Sequence, residues 1–178
     1  VEIEWRDRPI ARVLGRSEVE DHAHRQFMRD CHIVRDIRQK GVEAVAVSGV
    51  FSPVNPTQER EAGAFIQREL PHVQITLSHE NGRVGLLERE NAAALNACLA
   101  KVGERSISSI KQAMEAMGLT APLYLSQNDG TLMDEGFAAR FPVFAIASGP
   151  TNSMRGGAHL SGLSDCIIVD VGGTTTDI

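Results

Sequence analysis

Within eight residues, Asp170-Val171-Gly172-Gly173-Thr174-Thr175-Thr176-Asp177 brings together two carboxylates, a glycine pair and three hydroxyls. Glycines let the backbone come close to a ligand, and successive free N–H groups in such a turn form a concave anion site. Threonine hydroxyls add donors to phosphate oxygens, and a carboxylate just before the turn can hold a hydrated magnesium ion. The chemistry this spacing points to is the holding of nucleotide phosphates. Asp170 is then the metal-side carboxylate, and Gly172, Gly173, Thr174 and Thr175 are the phosphate-side groups. Asp177 stays open between a turn cap and a metal ligand. The stretch is neither Gly-x-x-x-x-Gly-Lys-Ser/Thr nor Gly-x-Gly-x-x-Gly, and on residue type alone a Gly-Gly turn also serves as a plain strand connection.

Other stretches place further candidates. Gln127-Asn128-Asp129-Gly130 follows an apolar run, at the kind of strand end where open α/β sheets bind ligands; the same composition also makes an ordinary turn. Ser148 stands before Gly149-Pro150, a proline-started helix, where a hydroxyl also serves as a plain cap. Gly156-Gly157 permits either a hinge or tight helix packing. Glu88, Arg89 and Glu90 read as a solvated helix face with i,i+4 pairing. Asn96 lies in a helix rich in Ala, Leu and Cys, and needs a structural partner if buried. His22, His24 and His32 have no cysteine or carboxylate at metal-site spacing and read as a polar helix face. Cys31, Cys98 and Cys166 are odd in number and widely spaced, the usage of reduced, buried thiols in a cytoplasmic protein.

The elements that must position these groups follow from periodicity. Residues 3–14 alternate loosely around Pro9, as an edge strand or arm does. Residues 18–40 form an amphipathic helix on Phe27, Met28, Val34 and Ile37, ending at Gly41. The run 42–47 is a buried parallel strand. Asn55-Pro56-Thr57-Gln58 is a capping-box-like helix start, and that helix runs to Leu70 before Pro71 stops it. A strand over 73–77 and a helical stretch over 84–117 come next, the latter in two segments around Gly103. Its Ile107, Ile110, Met114 and Met117 form one core-facing stripe, so the methionines are packing. Strand 123–126, helices near 134–140 and 148–160, Gly162 as a helix stop, and a strand at Cys166–Val169 complete the chain. Strands alternating with helices four times over give an α/β fold with a mainly parallel sheet flanked by helices.

Composition narrows the classes. Hydrophobic residues at 42% and charged residues at 23% describe a globular chain, and a net charge of -5 argues against a nucleic-acid partner. No apolar stretch approaches the roughly 20 residues of a membrane span. The amino end carries neither an initiator methionine nor a signal-peptide pattern, which reads as a start inside a larger protein.

The order of proline-started helix, paired glycines, apolar strand and Asp-Val-Gly-Gly-Thr turn resembles the actin-like ATPase superfamily. Further stretches narrow the likeness: Gly41–Val47, Phe51-Ser52, Asn55–Arg60, Glu69-Leu70-Pro71, Leu87-Glu88-Arg89, Leu95-Asn96-Ala97, Ser126–Gly130 and Ser148-Gly149-Pro150. From about residue 8 to the end the chain resembles the hydantoinase/5-oxoprolinase family, in particular its N-methylhydantoinase-like members. The resemblance implies an actin-like (ribonuclease H-like) lobe, with ATP held by Gly172–Thr175 and magnesium bound through water by Asp170. It implies ATP-driven opening of a cyclic amide of hydantoin or 5-oxoproline type through phosphorylation of the carbonyl oxygen. A non-catalytic scaffold lobe and one subunit of a ketone carboxylase are the alternatives. It also implies a second subunit or a homo-oligomer. Ser148 stands where chaperone relatives place a carboxylate that orders the attacking water, a difference that fits phosphoryl transfer to a substrate. Two departures touch the site: Asn128-Asp129-Gly130 where the family has Asn-Gly-Gly, and Thr151-Asn152 where it commonly has Ala-Ala or Ala-Gly.

On this reading the chain is an internal piece. Residues 1–162 are part of a first lobe, and 163–178 are the first strand and phosphate turn of a second. The family's earlier Asp-x-Gly-Gly-Thr turn and its adenine-binding segment are not in the sequence, and one phosphate turn without its facing turn cannot clamp a triphosphate. The 178-residue chain alone is therefore expected to bind ATP weakly or not at all; tight magnesium-dependent binding by calorimetry would overturn that expectation.

Overall fold

The structure is a computed structural model that describes residues 3–5, 8–15, 32–82 and 85–178. It resolves into two compact units, Val1–Ala100 and Lys101–Ile178.

The first unit is built on a four-stranded sheet in the order β1 (Ile3–Trp5), β2 (Arg8–Gly15), β3 (Ala44–Gly49), β4 (Gln74–Leu77). β2, β3 and β4 are parallel, with Val13 opposite Val47 and Val45 opposite Ile75, whereas β1 runs antiparallel at the edge. The expected arm over 3–14 is thus two strands, and β2 lies inside the sheet. Pro9, which has no N–H to give a ladder, sits near the start of β2 opposite Glu4 of β1. The lower half of the helix expected over 18–40, with Phe27, Met28, His22, His24 and Cys31, lies outside the described residues. Its end is seen as α1 (His32–Gln39).

Period-two alternation in β3 divides the unit into layers. Val45 and Val47 pack with Val34 and Ile37 of α1 and with Ala62 and Ile66 of α2 (Thr57–Glu69). Ala46, on the other face, packs against Ala93 and Ala97 of α4 (Leu86–Ala116). Burying each larger aliphatic side chain of the first layer contributes about 1.5–3 kcal/mol. α2 begins at Thr57, one residue later than the capping reading placed it: Pro56 precedes the helix and makes no side-chain cap, while the Thr57 N–H donates to the Asn55 side chain at 3.1 Å. A single turn of helix, α3 (Ser78–Asn81), follows β4.

The second unit contains the hairpin β5 (Tyr124–Ser126) and β6 (Leu132–Asp134), α5 (Glu135–Arg140), a 3₁₀ turn (Pro142–Ala145), α6 (Ser148–Ser161), and the two-residue strands β7 (Asp170–Val171) and β8 (Thr176–Asp177). Its core gathers Ile107, Met133 and Ala138. Several expectations are corrected here. Residues 124–126 pair antiparallel with β6 and are no part of a parallel sheet. Cys166–Val169 is not a strand, since ladder pairing begins only at Asp170. Of the proposed stripe only Ile107 is buried; Met114 is half-buried, and Ile110 and Met117 are exposed. Nor are all the thiols buried, because Cys166 is exposed and Cys98 is half-covered, with burial pushing its pKa up. Among the described residues no helix is long and apolar enough to cross a membrane.

α4 runs unbroken through Gly103 instead of splitting there. A Cβ at Gly103 would stand 2.8 Å from Cβ of Pro142, so the glycine serves close packing and not a break. Elsewhere α1, α4 and α6 stop where expected, at Gly41, Gly118 and Gly162, each at positive φ. In an exposed helix, Gly→Ala gains about 1 kcal/mol. Gly103→Ala should instead lower the thermal unfolding midpoint, because overpacking costs about 1–3 kcal/mol; a raised midpoint would refute the packing role.

Candidate phosphate site and its support

β7 and β8 form a hairpin in which Asp170 is directly opposite Asp177 and Val171 opposite Thr176. The turn between them is Gly172–Thr175, closed by the Gly172 N–H donating to the Thr175 carbonyl at 2.9 Å. Gly172 therefore shapes the turn with its donor already used. Among the described residues the N–H groups of Gly173 and Thr174 find no acceptor, and the whole segment 171–178 is exposed. A Cβ at Gly173 would meet nothing within 4 Å, so the turn is open on that side.

Two carboxylates opposite one another in an antiparallel pair repel, and a cation between them relieves that repulsion. The donor set thus suits a hydrated magnesium ion at Asp170, with Asp177 across the hairpin, and a phosphate against the free N–H groups and hydroxyls of Gly173–Thr175. Among the described residues no group of three or more His, Cys, Asp or Glu is placed to hold a metal directly. Magnesium, which keeps most of its waters, needs only one or two carboxylates.

The helix α6 supports this hairpin. Ser153 donates its hydroxyl to Asp170 Oδ2 at 2.5 Å. On the opposite face, Thr151 Oγ1 donates to the Asn128 carbonyl at 2.7 Å and the Arg155 guanidinium donates to the Gly130 carbonyl. Gly130 is at φ +82, and a Cβ there would collide with Arg155 and Thr151. The Asn128 N–H is fixed in turn by the Phe144 carbonyl at 2.7 Å. The two stretches that depart from the resembled family, 128–130 and 151–152, therefore meet. Asp129 itself turns to Thr131, whose hydroxyl and N–H, with a smaller contribution from Arg155, hold its carboxyl below the usual range.

Ser148 begins α6 without a side-chain capping bond; Ala147 before it is the only non-glycine at positive φ among the described residues, at 58°. Of the glycine pair, Gly157 packs tightly, since a Cβ there would lie 3.0 Å from Ile168, while Gly156 meets nothing within 4 Å.

The first unit holds a second polar cluster, which sequence reasoning missed. Glu59 Oε1 accepts from the Gly49 N–H at 2.7 Å and the Ser78 hydroxyl at 2.5 Å; Oε2 accepts from the His79 N–H at 3.0 Å and lies 2.6 Å from His79 Nδ1. Arg89 donates Nε–H to Ser78 Oγ at 2.9 Å and Nη2–H to the Gly49 carbonyl at 2.5 Å. Arg89 and Glu90 are buried, and only Glu88 lies on the expected solvated face. The sole hint in the sequence was that Arg89 is one turn before Ala93 and two before Asn96, on the apolar face. Asn96 finds the required structural partner, donating to Thr76 Oγ1 at 3.1 Å.

The pattern of the Hydantoinase/oxoprolinase family matches residues 89–178, and that of the Hydantoinase/oxoprolinase N-terminal region matches residues 13–70. The chain belongs to the hydantoinase/oxoprolinase family. It is 34% identical over 145 residues to the caprolactamase alpha subunit of Pseudomonas jessenii, covering 79% of this chain and 21% of that one. The crystal structure of the ATP-dependent caprolactamase from Pseudomonas jessenii superposes with a TM-score of 0.71 at 32% identity, over 80% of this chain and 21% of that one. Nucleotide-free acetone carboxylase shares the fold, with a TM-score of 0.70 at 22% identity over 88% and 22% of the two chains. This hydantoinase/oxoprolinase chain thus spans about a fifth of the length of the relatives it matches.

Burial pushes the Glu59 carboxyl up, but its bonds from Ser78, Gly49 and His79 outweigh that and hold it below the usual range. Its contribution to stability is therefore complete above the unfolded value of about pH 4.3 and is lost as pH falls through the lower folded value. Glu59→Gln should cost about 3–5 kcal/mol at neutral pH by leaving buried charge-assisted donors mispaired. Denaturant unfolding from pH 7 to pH 3 should show this gap narrowing in acid; a gap independent of pH would sink the ionised-carboxylate account.

Proposed function

We propose that this chain is part of an ATP-dependent enzyme that opens cyclic amides, of hydantoin, 5-oxoproline or larger lactam type. The observation carrying the reading is the paired Asp170 and Asp177 leading into an exposed turn whose Gly173 and Thr174 N–H groups are free. The kinship to one subunit of a caprolactamase supports the amide class. In this proposal the fold is a lobe of actin-like ATPase type, with the lobe boundary near residue 162 and Asp170–Asp177 opening the second lobe.

Bound magnesium and ATP would supply phosphorylation of the carbonyl oxygen, which relieves amide resonance and provides a leaving group. The chain's own residues hold and orient. Asp170 would hold the metal through its water shell. Gly173, Thr174 and Thr175 would donate to phosphate oxygens, as fixed dipoles where charge develops. Gly172 closes the turn that aims them. The turn 127–130 is pinned on the face of α6 opposite Ser153, and its Asn128-Asp129, with Thr151-Asn152 of the helix, set this chain apart from the resembled pattern. A ketone carboxylase subunit is the second reading, favoured by the shared fold with acetone carboxylase, and it would use the same phosphate turn. A second subunit or a homo-oligomer is part of the proposal, in keeping with a relative named as one subunit of its enzyme.

Coupled phosphate-release assays on the full-length protein with lactams, 5-oxoproline, hydantoins and ketones should show turnover with a cyclic amide. Asp170→Ala should lower kcat/KM by about 10²–10³-fold or more. Turnover by that variant within twofold of the parent would remove the metal role, and turnover confined to ketones would select the carboxylase.

A further inference from the structure

We infer that Ser153 is a positioning residue for the metal-side carboxylate: its hydroxyl occupies Asp170 Oδ2 and so fixes Oδ1 as the oxygen presented to magnesium. The inference rests on the nucleotide reading of the β7–β8 turn and adds to it a residue outside the Asp-Val-Gly-Gly-Thr stretch.

Three observations carry it. First, the contact is direct, the Ser153 hydroxyl donating to Asp170 Oδ2 with no intervening group, and both residues are partly shielded from water. A hydrogen bond to an ionised oxygen is shorter and roughly twice as strong as a neutral one. Second, serine is a poor helix-interior residue that ordinarily turns its hydroxyl back onto its own helix. Ser153 stands within the fourteen-residue α6 and instead points outward to a strand seventeen positions later. Third, α6 is not free to drift. Thr151 and Arg155 lie one turn apart, so they share a face, whereas Ser153 is about 200° around the helix from Thr151. The Thr151 and Arg155 face grips the carbonyls of Asn128 and Gly130, and the Ser153 face grips Asp170. The helix is held between the two contacts, and the carboxylate inherits its fixed position. Outer partners of this kind orient a ligand before the metal arrives.

The test uses the full-length protein and a fluorescent N-methylanthraniloyl ATP, titrated with magnesium chloride at fixed nucleotide. Ser153→Ala should raise the magnesium midpoint about tenfold, the scale of outer-partner effects. Its unfolding midpoint without nucleotide should stay near that of the parent. Ser153→Thr, which keeps the hydroxyl, should return the magnesium midpoint to within about threefold of the parent. Ser153→Cys keeps the volume but loses the strong donor, and serves in place of alanine if the alanine variant does not fold. A magnesium midpoint unchanged in Ser153→Ala or Ser153→Cys overturns the inference, as does a threonine variant no better than alanine. Asp170→Ala separates the two levels. If it abolishes the magnesium dependence while Ser153→Ala leaves the midpoint unchanged, only the role of Ser153 fails. If Asp170→Ala also leaves the magnesium dependence intact, the nucleotide reading of the turn fails with it.

Discussion

A buried carboxylate must be surrounded by donors or give up its charge, and in the first unit that constraint fixes how the sheet ends. Glu59 enters the interior from α2 and is met by the N–H of Gly49, the last residue of β3, and by Ser78 and His79 after β4. Ser78 passes the connection on, giving its hydroxyl hydrogen to Glu59 and accepting from Arg89. Arg89 reaches across to the Gly49 carbonyl and thereby ties the start of α4 to the strand ends. One ion on each face of the sheet, joined through one hydroxyl, holds β3, β4, α2 and α4 in register. The packed valines and alanines already oppose a one-residue slip, and hydrogen bonds to fixed carbonyls add direction to that constraint.

The second unit solves a different problem, that of making a small hairpin definite. β7 and β8 contribute only two paired residues each, too few to be stable alone. The sequence nevertheless places like charges opposite one another at the base of that hairpin. Such an arrangement is unfavourable unless something else is gained, and conflicts of this kind concentrate at functional sites. Here α6 supplies rigidity from one side, through Ser153. The left-handed Ala147 at its start is a further point of backbone strain, of the sort that persists only when its surroundings over-determine it.

Elements were legible where local chemistry decides them. The run around Val45, the helix between Pro56 and Pro71, the glycine stops at 41, 118 and 162, and α6 all follow from propensity, period and punctuation by proline and glycine. Partnership was not legible. Leu123–Ser126 and Cys166–Val169 have the apolar character of strands, but strands exist only by pairing: Tyr124–Ser126 pairs antiparallel with β6, and Cys166–Val169 pairs with nothing among the described residues. Gly103 read as a break because glycine weakens helices, yet the neighbour that makes it useful is Pro142, nearly forty residues on. Arg89 looked solvated because charged residues usually are, and its buried acceptors belong to other turns.

By itself the sequence determined the family, the α/β class and the identity of the groups in the Asp170–Asp177 stretch. These depend on residue type and short spacing, which the chain carries in linear order. The tertiary structure alone decided that Asp170 faces Asp177, that Gly172 has already used its donor, and that Ser153 holds the carboxylate. Those are facts of distance between residues remote in sequence. The Asp-Val-Gly-Gly-Thr stretch names the atoms, and only the folded backbone determines which of them are already paired.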